Sequence, residues 1–159
     1  MTTAAGDLVT RLYDDVFNGR RIDRLDELIA DQFVEHALAP FGTTAPGAVD
    51  GPSHMRAVVE WLTAQFPDVE FSTLALVCDG DLVAIRVRAA GTSLGPFNGV
   101  IPPTGRRFSA EQSHWYRCVD GRLTEHWATR DDLTAMLQLG VIRPPGSPPT
   151  SPEPTRPSS

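Results

Sequence analysis

Four histidines, His36, His54, His114 and His126, are the side chains of this 159-residue chain best suited to moving protons near neutral pH, because imidazole is the side chain whose ordinary titration falls there. His126 is the first candidate, since it can serve as acid or base without a large shift. Asp131 is the next, lying just past the strand that carries His126. An aspartate followed by Asp132, Leu133 and Thr134 is equally well placed to cap a helix. His114 and Gln112 share one strand face, as do Tyr116 and Cys118, so that strand offers donors and aromatic surface together. A carboxylate in a dry pocket has its pKa raised by desolvation, which makes it basic enough to work near pH 7. The histidines are scattered, and neither a His-x-x-x-His nor a Cys-x-x-Cys spacing occurs, so no metal site is expected. Neither a nucleophile elbow nor a phosphate-binding glycine loop is expected. The chemistry these residues suggest is proton transfer without a cofactor.

The elements that must position these groups follow from periodicity. Leu8, Leu12, Val16 and Phe17 recur at helical spacing, with Asp7 as a candidate cap and Gly19 as a stop. Ile22, Leu25, Leu28 and Ile29 repeat the pattern briefly and lead into a short strand at Phe33, Val34 and His36. Residues 37–51 carry Gly, Pro and Thr without periodicity and read as a loop that could overhang a pocket. Pro52 opens a third helix whose stripe is Met55, Val58, Val59, Leu62 and Phe66, and Pro67 stops it. Trp61 lies off that stripe, and His54, in the first turn, is expected to be exposed. The period then changes from 3.6 to 2, through Val69, Phe71, Leu74, Leu76 and Cys78, a turn at Asp79-Gly80-Asp81, and Val83, Ile85 and Val87. Arg86 and Arg88 alternate with that aliphatic set and point to the opposite face.

Residues 92–105 form a second Gly/Pro loop, residues 106–119 and 122–130 read as two long strands joined at Asp120-Gly121, and a last helix runs from about Asp132 to Leu139 with Gly140 ending it. Three helices, a paired antiparallel sheet and a short final helix make an α+β domain in which the helices cover one face of a curved sheet. One domain over residues 1–142 is expected, followed by a disordered Pro/Ser tail over residues 143–159.

Composition narrows the partners. Hydrophobic residues make up 41% and charged residues 21%, which suits a packed core. A net charge of −6 argues against nucleic acid, whose phosphates call for clustered Lys and Arg. No apolar run approaches the roughly 18 residues that would span a bilayer. Met1 to Asp7 lack the order of a signal peptide, which makes the cytoplasm the expected compartment and Cys78 and Cys118 free thiols.

The stretch GRRFSAEQSHWYRCVDGRLTEHWATRDDLTAMLQLG, residues 105–140, resembles the C-terminal signature of SnoaL-like polyketide cyclases and related ester cyclases. The LVTRLYDDVFN helix, the Val34-Glu35-His36 strand end and the Gly51-Pro52 helix start agree with it. The resemblance covers about residues 6–142 and implies the cone-shaped fold shared with nuclear transport factor two and ketosteroid isomerase, enclosing a central pocket.

It also implies a cofactor-free cyclase or isomerase-like relative, acting on a small apolar carbonyl compound such as a polyketide and assembling as a homodimer or homotetramer. His126 and Asp131 would then be the acid/base pair, with His114 and Gln112 donating to the enolate oxygen. His36 would sit at the pocket rim, while Tyr116, Trp115, Trp127, Trp61 and Phe97 are the aromatics available to grip a flat substrate. In the family the acid/base aspartate stands close behind the His-Trp pair, and here Ala128 directly follows Trp127. A two-residue turn at Asp120-Gly121 would pair His114 with Trp127, whereas a three-residue loop with a glycine bulge would pair it with His126, and the resemblance favours the bulge. Two other readings stand beside aldol closure. One is hydration of an epoxide, with Arg86 or Arg88 near Asp131; the other is a non-catalytic ligand-binding or dimerisation module.

Overall fold

The computed structural model describes residues 3–148. Helix α1 (Ala4–Arg11) starts at Thr3, whose side-chain oxygen accepts the Gly6 N–H at 3.1 Å, so Thr3 rather than Asp7 is the cap. The chain continues as a π-helical segment, Leu12–Asn18, which buries Leu12, Tyr13, Val16 and Phe17. A 3-10 turn (Ile22–Arg24) and α2 (Leu25–Leu28) lead into β1 (Ile29–Glu35). Strand β2 (Gly47–Asp50) lies within the stretch expected as loop; it is a four-residue edge strand, too short to show a period, and it pairs antiparallel with β1. Asp50 then caps α3 (Gly51–Gln65) by accepting the Ser53 N–H at 3.0 Å.

Strands β3 (Glu70–Asp79), β4 (Leu82–Thr92), β5 (Arg107–Val119) and β6 (Arg122–Arg130) follow as hairpins, and α4 (Asp132–Leu139) closes the fold with Gly140 in the left-handed region at φ 75°. The six strands run in the order β2-β1-β6-β5-β4-β3 in one curved, unclosed sheet. The sheet is mixed, not antiparallel throughout as expected, because β1 pairs parallel with β6. That strand arrives from α2 and not from a hairpin, so no turn dictates its direction. The helices cover the inner face, where Val83, Ile85 and Val87 of β4 and Leu123 of β6 are buried with Leu12, Val16, Leu25 and Leu28. Arg86 and Arg88 stand on the outer face, both held by the Glu111 carboxylate at 3.0 Å.

Cys78 and Cys118 are free and half-buried. Among the described residues no helix is long and apolar enough to cross a membrane. Arg143 to Pro148 form no helix or strand, and the remainder of the expected tail, residues 149–159, lies outside the described residues.

Gly51 sets how closely α3 approaches β1. A Cβ there would meet the Ala30 carbonyl oxygen at 2.1 Å, a backbone atom that cannot swing aside. Gly51→Ala is therefore expected to destabilise the protein by about 1–3 kcal/mol, read as a lower urea midpoint with an unchanged slope.

Candidate active site

The register of β5 on β6 decides which side chains face inward together. Asp120 (φ 49°) and Gly121 (φ 74°) make a two-residue turn with both residues in the left-handed region, which Asp-Gly favours. The ladder starts Val119 to Arg122 and Cys118 to Leu123, then skips Thr124, so that Arg117 faces Glu125 and Tyr116 faces His126. The expected three-residue loop with a glycine bulge is not formed; the turn has two residues, and a bulge at Thr124 in β6 shifts the register in the opposite direction. His114 consequently lies opposite Ala128 rather than His126. His126 is two residues from Ala128, so both histidines share the inner face as diagonal neighbours.

A line of buried hydrogen bonds runs through them. His126 Nδ1 lies 2.8 and 3.0 Å from the two oxygens of Glu35, which β1 brings alongside His126 in the parallel ladder. His126 Nε2 is 2.9 Å from His114 Nδ1, and His114 Nε2 is 2.9 Å from Gln112 Oε1. Glu35 is further held by His54 Nε2 at 3.1 Å and by the Ala37 N–H at 3.0 Å. Burial alone would push the Glu35 carboxyl up, but the hydrogen bonds from His126 and His54 outweigh it and hold the pKa down to about 2. Burial, and then the positive charges of His126 and Arg130, keep His114 well below the ordinary histidine range. Glu35 is therefore an anion and His114 is neutral.

These two states leave two ways to place the protons, related by a flip of the Gln112 amide. In the first, His114 Nε2–H donates to Gln112, His126 Nε2–H donates to His114, and His126 is an imidazolium paired with Glu35. In the second, the Gln112 amide donates to His114 Nε2, His114 Nδ1–H donates to His126, and both rings are neutral. The first is the second plus one proton, with the added charge resting on His126 beside the carboxylate. The line can thus accept a proton at its His114 end and hold the charge at its Glu35 end.

It forms part of the wall of a cavity of about 500 Å³. Tyr13, Phe17, Trp61, Phe66, Phe71 and Phe108 supply much of the remaining lining, with Arg130 and the loop from Ala37 to Pro46 at another side. The Tyr13 and Tyr116 hydroxyls meet at 3.2 Å, and the Tyr116 ring stacks on His126 with centroids 4.6 Å apart. Arg130 donates to the Leu38 carbonyl and Asp132 accepts the Phe41 N–H at 3.0 Å, which fastens the loop across the cavity.

The profile of the family described as SnoaL-like polyketide cyclase matches residues 7–139. The chain belongs to this family. It is 31% identical to the aklanonic acid methyl ester cyclase DauD of Streptomyces sp. (strain C5), covering 94% of this chain and 91% of that protein. It is 32% identical to the nogalonic acid methyl ester cyclase of Streptomyces nogalater, covering 78% and 89%. The crystal structure of wild-type IdmH from Streptomyces antibioticus is similar at a TM-score of 0.73, with 36% identity over 86% of this chain and 98% of that one.

Within this SnoaL-like site, several side chains stand where the sequence suggested and others do not. His126, His114, Gln112, Tyr116 and Trp61 line the cavity. Asp131 does not: its carboxylate accepts the Thr134 N–H at 3.1 Å and caps α4, and the same bonds lower its pKa. The carboxylate that reaches the histidines is Glu35. Trp115 and Trp127 face each other on the outer side of the sheet, with His36 stacked on Trp127 at 4.5 Å and bonded to Glu125 at 2.8 Å. Alternation explains this, since His36 points away from the face that Phe33 and Glu35 share. Phe97 is buried against Phe41 and Trp61 but does not line the cavity. His54, expected to be exposed, is turned inward by its bond to Glu35. Arg86 and Arg88 are committed to Glu111 outside, so neither lines the cavity, and Asp131 does not line it either.

The stretch Gly91-Thr92-Ser93-Leu94-Gly95 does have the spacing of a serine nucleophile elbow, against the expectation that none is present. Ser93 Oγ instead accepts the Thr104 N–H at 3.0 Å, and no helix follows it. Its hydroxyl ties down the second long loop.

Asp131→Ala is expected to cost about 1 kcal/mol of stability through the lost cap while leaving turnover within about twofold of wild type. Thermal melts and initial rates on one preparation check both halves.

Proposed function

We propose that the protein is a cofactor-free cyclase that closes a ring in a polyketide-like carbonyl compound by an intramolecular aldol reaction. The observation that carries this reading is the buried line Glu35–His126–His114–Gln112 on the wall of an apolar cavity. The relatives are named for cyclising acid methyl esters, which gives the substrate class its starting point.

Substrate entering the cavity displaces the Gln112 amide from His114 Nε2 and offers an activated C–H in its place. The carbon's proton passes to His114 Nε2, and the His114 Nδ1 proton shifts to His126 Nε2. The imidazolium so formed is paired with Glu35, while the electron pair left on the substrate becomes an enolate. The enolate carbon attacks a second carbonyl of the same molecule, a C–C bond forms, and the alkoxide oxygen takes back one proton through His114. Atoms balance: the product is an isomer of the substrate. Positioned proton transfer of this kind contributes about 10²–10⁴ in rate.

The expected result is therefore a product of unchanged mass, with no oxygen from labelled water and with a new stereocentre at the carbinol carbon. A gain of one water, carrying the label, would replace aldol closure by hydration. Unchanged substrate across a panel of keto esters, with tight binding, would leave a ligand-binding module.

A further inference from the structure

Arg130 is the one lysine or arginine among the described residues lining the cavity, and nothing above gives it a chemical task. Its side chain is 11% exposed, yet among the described residues the guanidinium makes one hydrogen bond, to the Leu38 carbonyl. Its Nε is buried with no hydrogen-bond partner and lies 3.7 Å from an Asp132 oxygen, too far to be donating to it. A guanidinium has five N–H donors, and burying them unmatched beside an apolar space is costly. The cost is offset if an oxygen of a ligand in the cavity accepts from the guanidinium's terminal N–H groups.

Its place in the ladder says which oxygen. Arg130 pairs across the strands with Gln112, whose amide covers His114 Nε2. Ala128, between Arg130 and His126 on the same face, is too small to screen one from the other.

We propose that Arg130 is a further catalytic residue, which holds the substrate oxygen on which negative charge develops as His114 removes the neighbouring proton. This rests on the reading of the site as a proton-transfer centre. A cation in a low-dielectric cavity, fixed before the reaction, stabilises the enolate more than the neutral carbonyl, and so accelerates the step rather than merely tightening binding.

The test needs no turnover. 4-Nitrophenol is a flat oxygen acid whose ionisation is read from its absorbance, and its phenolate imitates an enolate. Bound to the wild-type protein it is expected to ionise at lower pH than in water. Arg130→Gln and Arg130→Met, the second keeping the stem's packing, should each raise the bound phenol's pKa by about 1–2 pH units. Asp132→Asn removes the carboxylate beside the guanidinium and should lower it. Opposite signs in these two directions set the proposal apart from a structural role in fastening the loop, for which every variant would drift the same way, towards the free phenol. That common drift overturns the proposal, and so does wild-type protein that binds no phenolate. An effect lost in Tyr13→Phe or Tyr116→Phe but kept in Arg130→Gln also overturns it, by giving the oxygen to the tyrosine pair. Should the opposite-sign result stand while no keto ester is cyclised, the aldol reading fails and the Arg130 assignment survives.

Discussion

Replacing His114 with alanine lowers turnover by about 10²- to 10⁴-fold, the range that a positioned proton-transfer group contributes, and free imidazole restores part of the loss. Both halves follow from the position of the ring. His114 is the end of the hydrogen-bonded line that meets the cavity through a displaceable amide, whereas His126 is closed in by Glu35 on one side and by His114 on the other. Removing the ring of His114 leaves a ring-sized space between Gln112 and His126. Imidazole from solution can occupy it and receive the same hydrogen bond from, or donate it to, His126 Nε2. Rescue should saturate with imidazole and should not be matched by an equal concentration of a neutral apolar ring such as thiophene. His114 is neutral because burial first, and then any charge on His126 and the charge of Arg130, disfavour its cation. The proton it accepts must therefore be handed on, and His126→Ala is expected to be at least as damaging and not rescued to the same extent. Rates within tenfold of wild type for His114→Ala, in a variant whose circular dichroism is unchanged, would end the role given to this ring.

The parts of the site that were legible in the sequence are those fixed by local rules. Strict alternation placed Gln112, His114 and Tyr116 on one face, the Asp120-Gly121 pair located the hairpin, and Gly140 marked the end of α4. What escaped depends on how distant elements meet. Glu35 follows Phe33 at the spacing of a strand face, so its inward direction was available from alternation alone; its partner was not, because β1 joins β6 without a turn between them. His54 precedes the apolar stripe of α3 by one position, and only the packing of that helix across β1 brings its ring to Glu35. The bulge at Thr124 involves no glycine, so no residue type announced it, yet it decides that His114 faces Ala128. With alanine at that position, a carboxylate reaches the histidines from the adjacent strand. Asp131 drew attention through sequence proximity to His126, while its own backbone position made it a cap.

Glu35→Gln tests the carboxylate that reaches the histidines, and its expected effects are large in both activity and stability. Glutamine keeps the shape and can still accept from His126, but it removes the charge that the imidazolium faces after proton uptake. Turnover is expected to fall about 10²- to 10³-fold. Because Glu35 acts through His126, adding Glu35→Gln to His126→Ala should cost little more than His126→Ala alone. A carboxyl lowered from its ordinary 4.5 to about 2 stabilises the fold at every pH above the higher value. That contribution declines as pH falls through the interval and is gone below about 2, a difference of about 3 kcal/mol. Wild-type protein should thus lose stability steeply on acidification between those limits, and Glu35→Gln, weaker at neutral pH, should lose much less over the same interval. Urea unfolding at a series of pH values measures the two slopes. Parallel slopes would mean that Glu35 is not the anion the hydrogen bonds imply, and full turnover in the glutamine variant that it is not the counter-charge of His126.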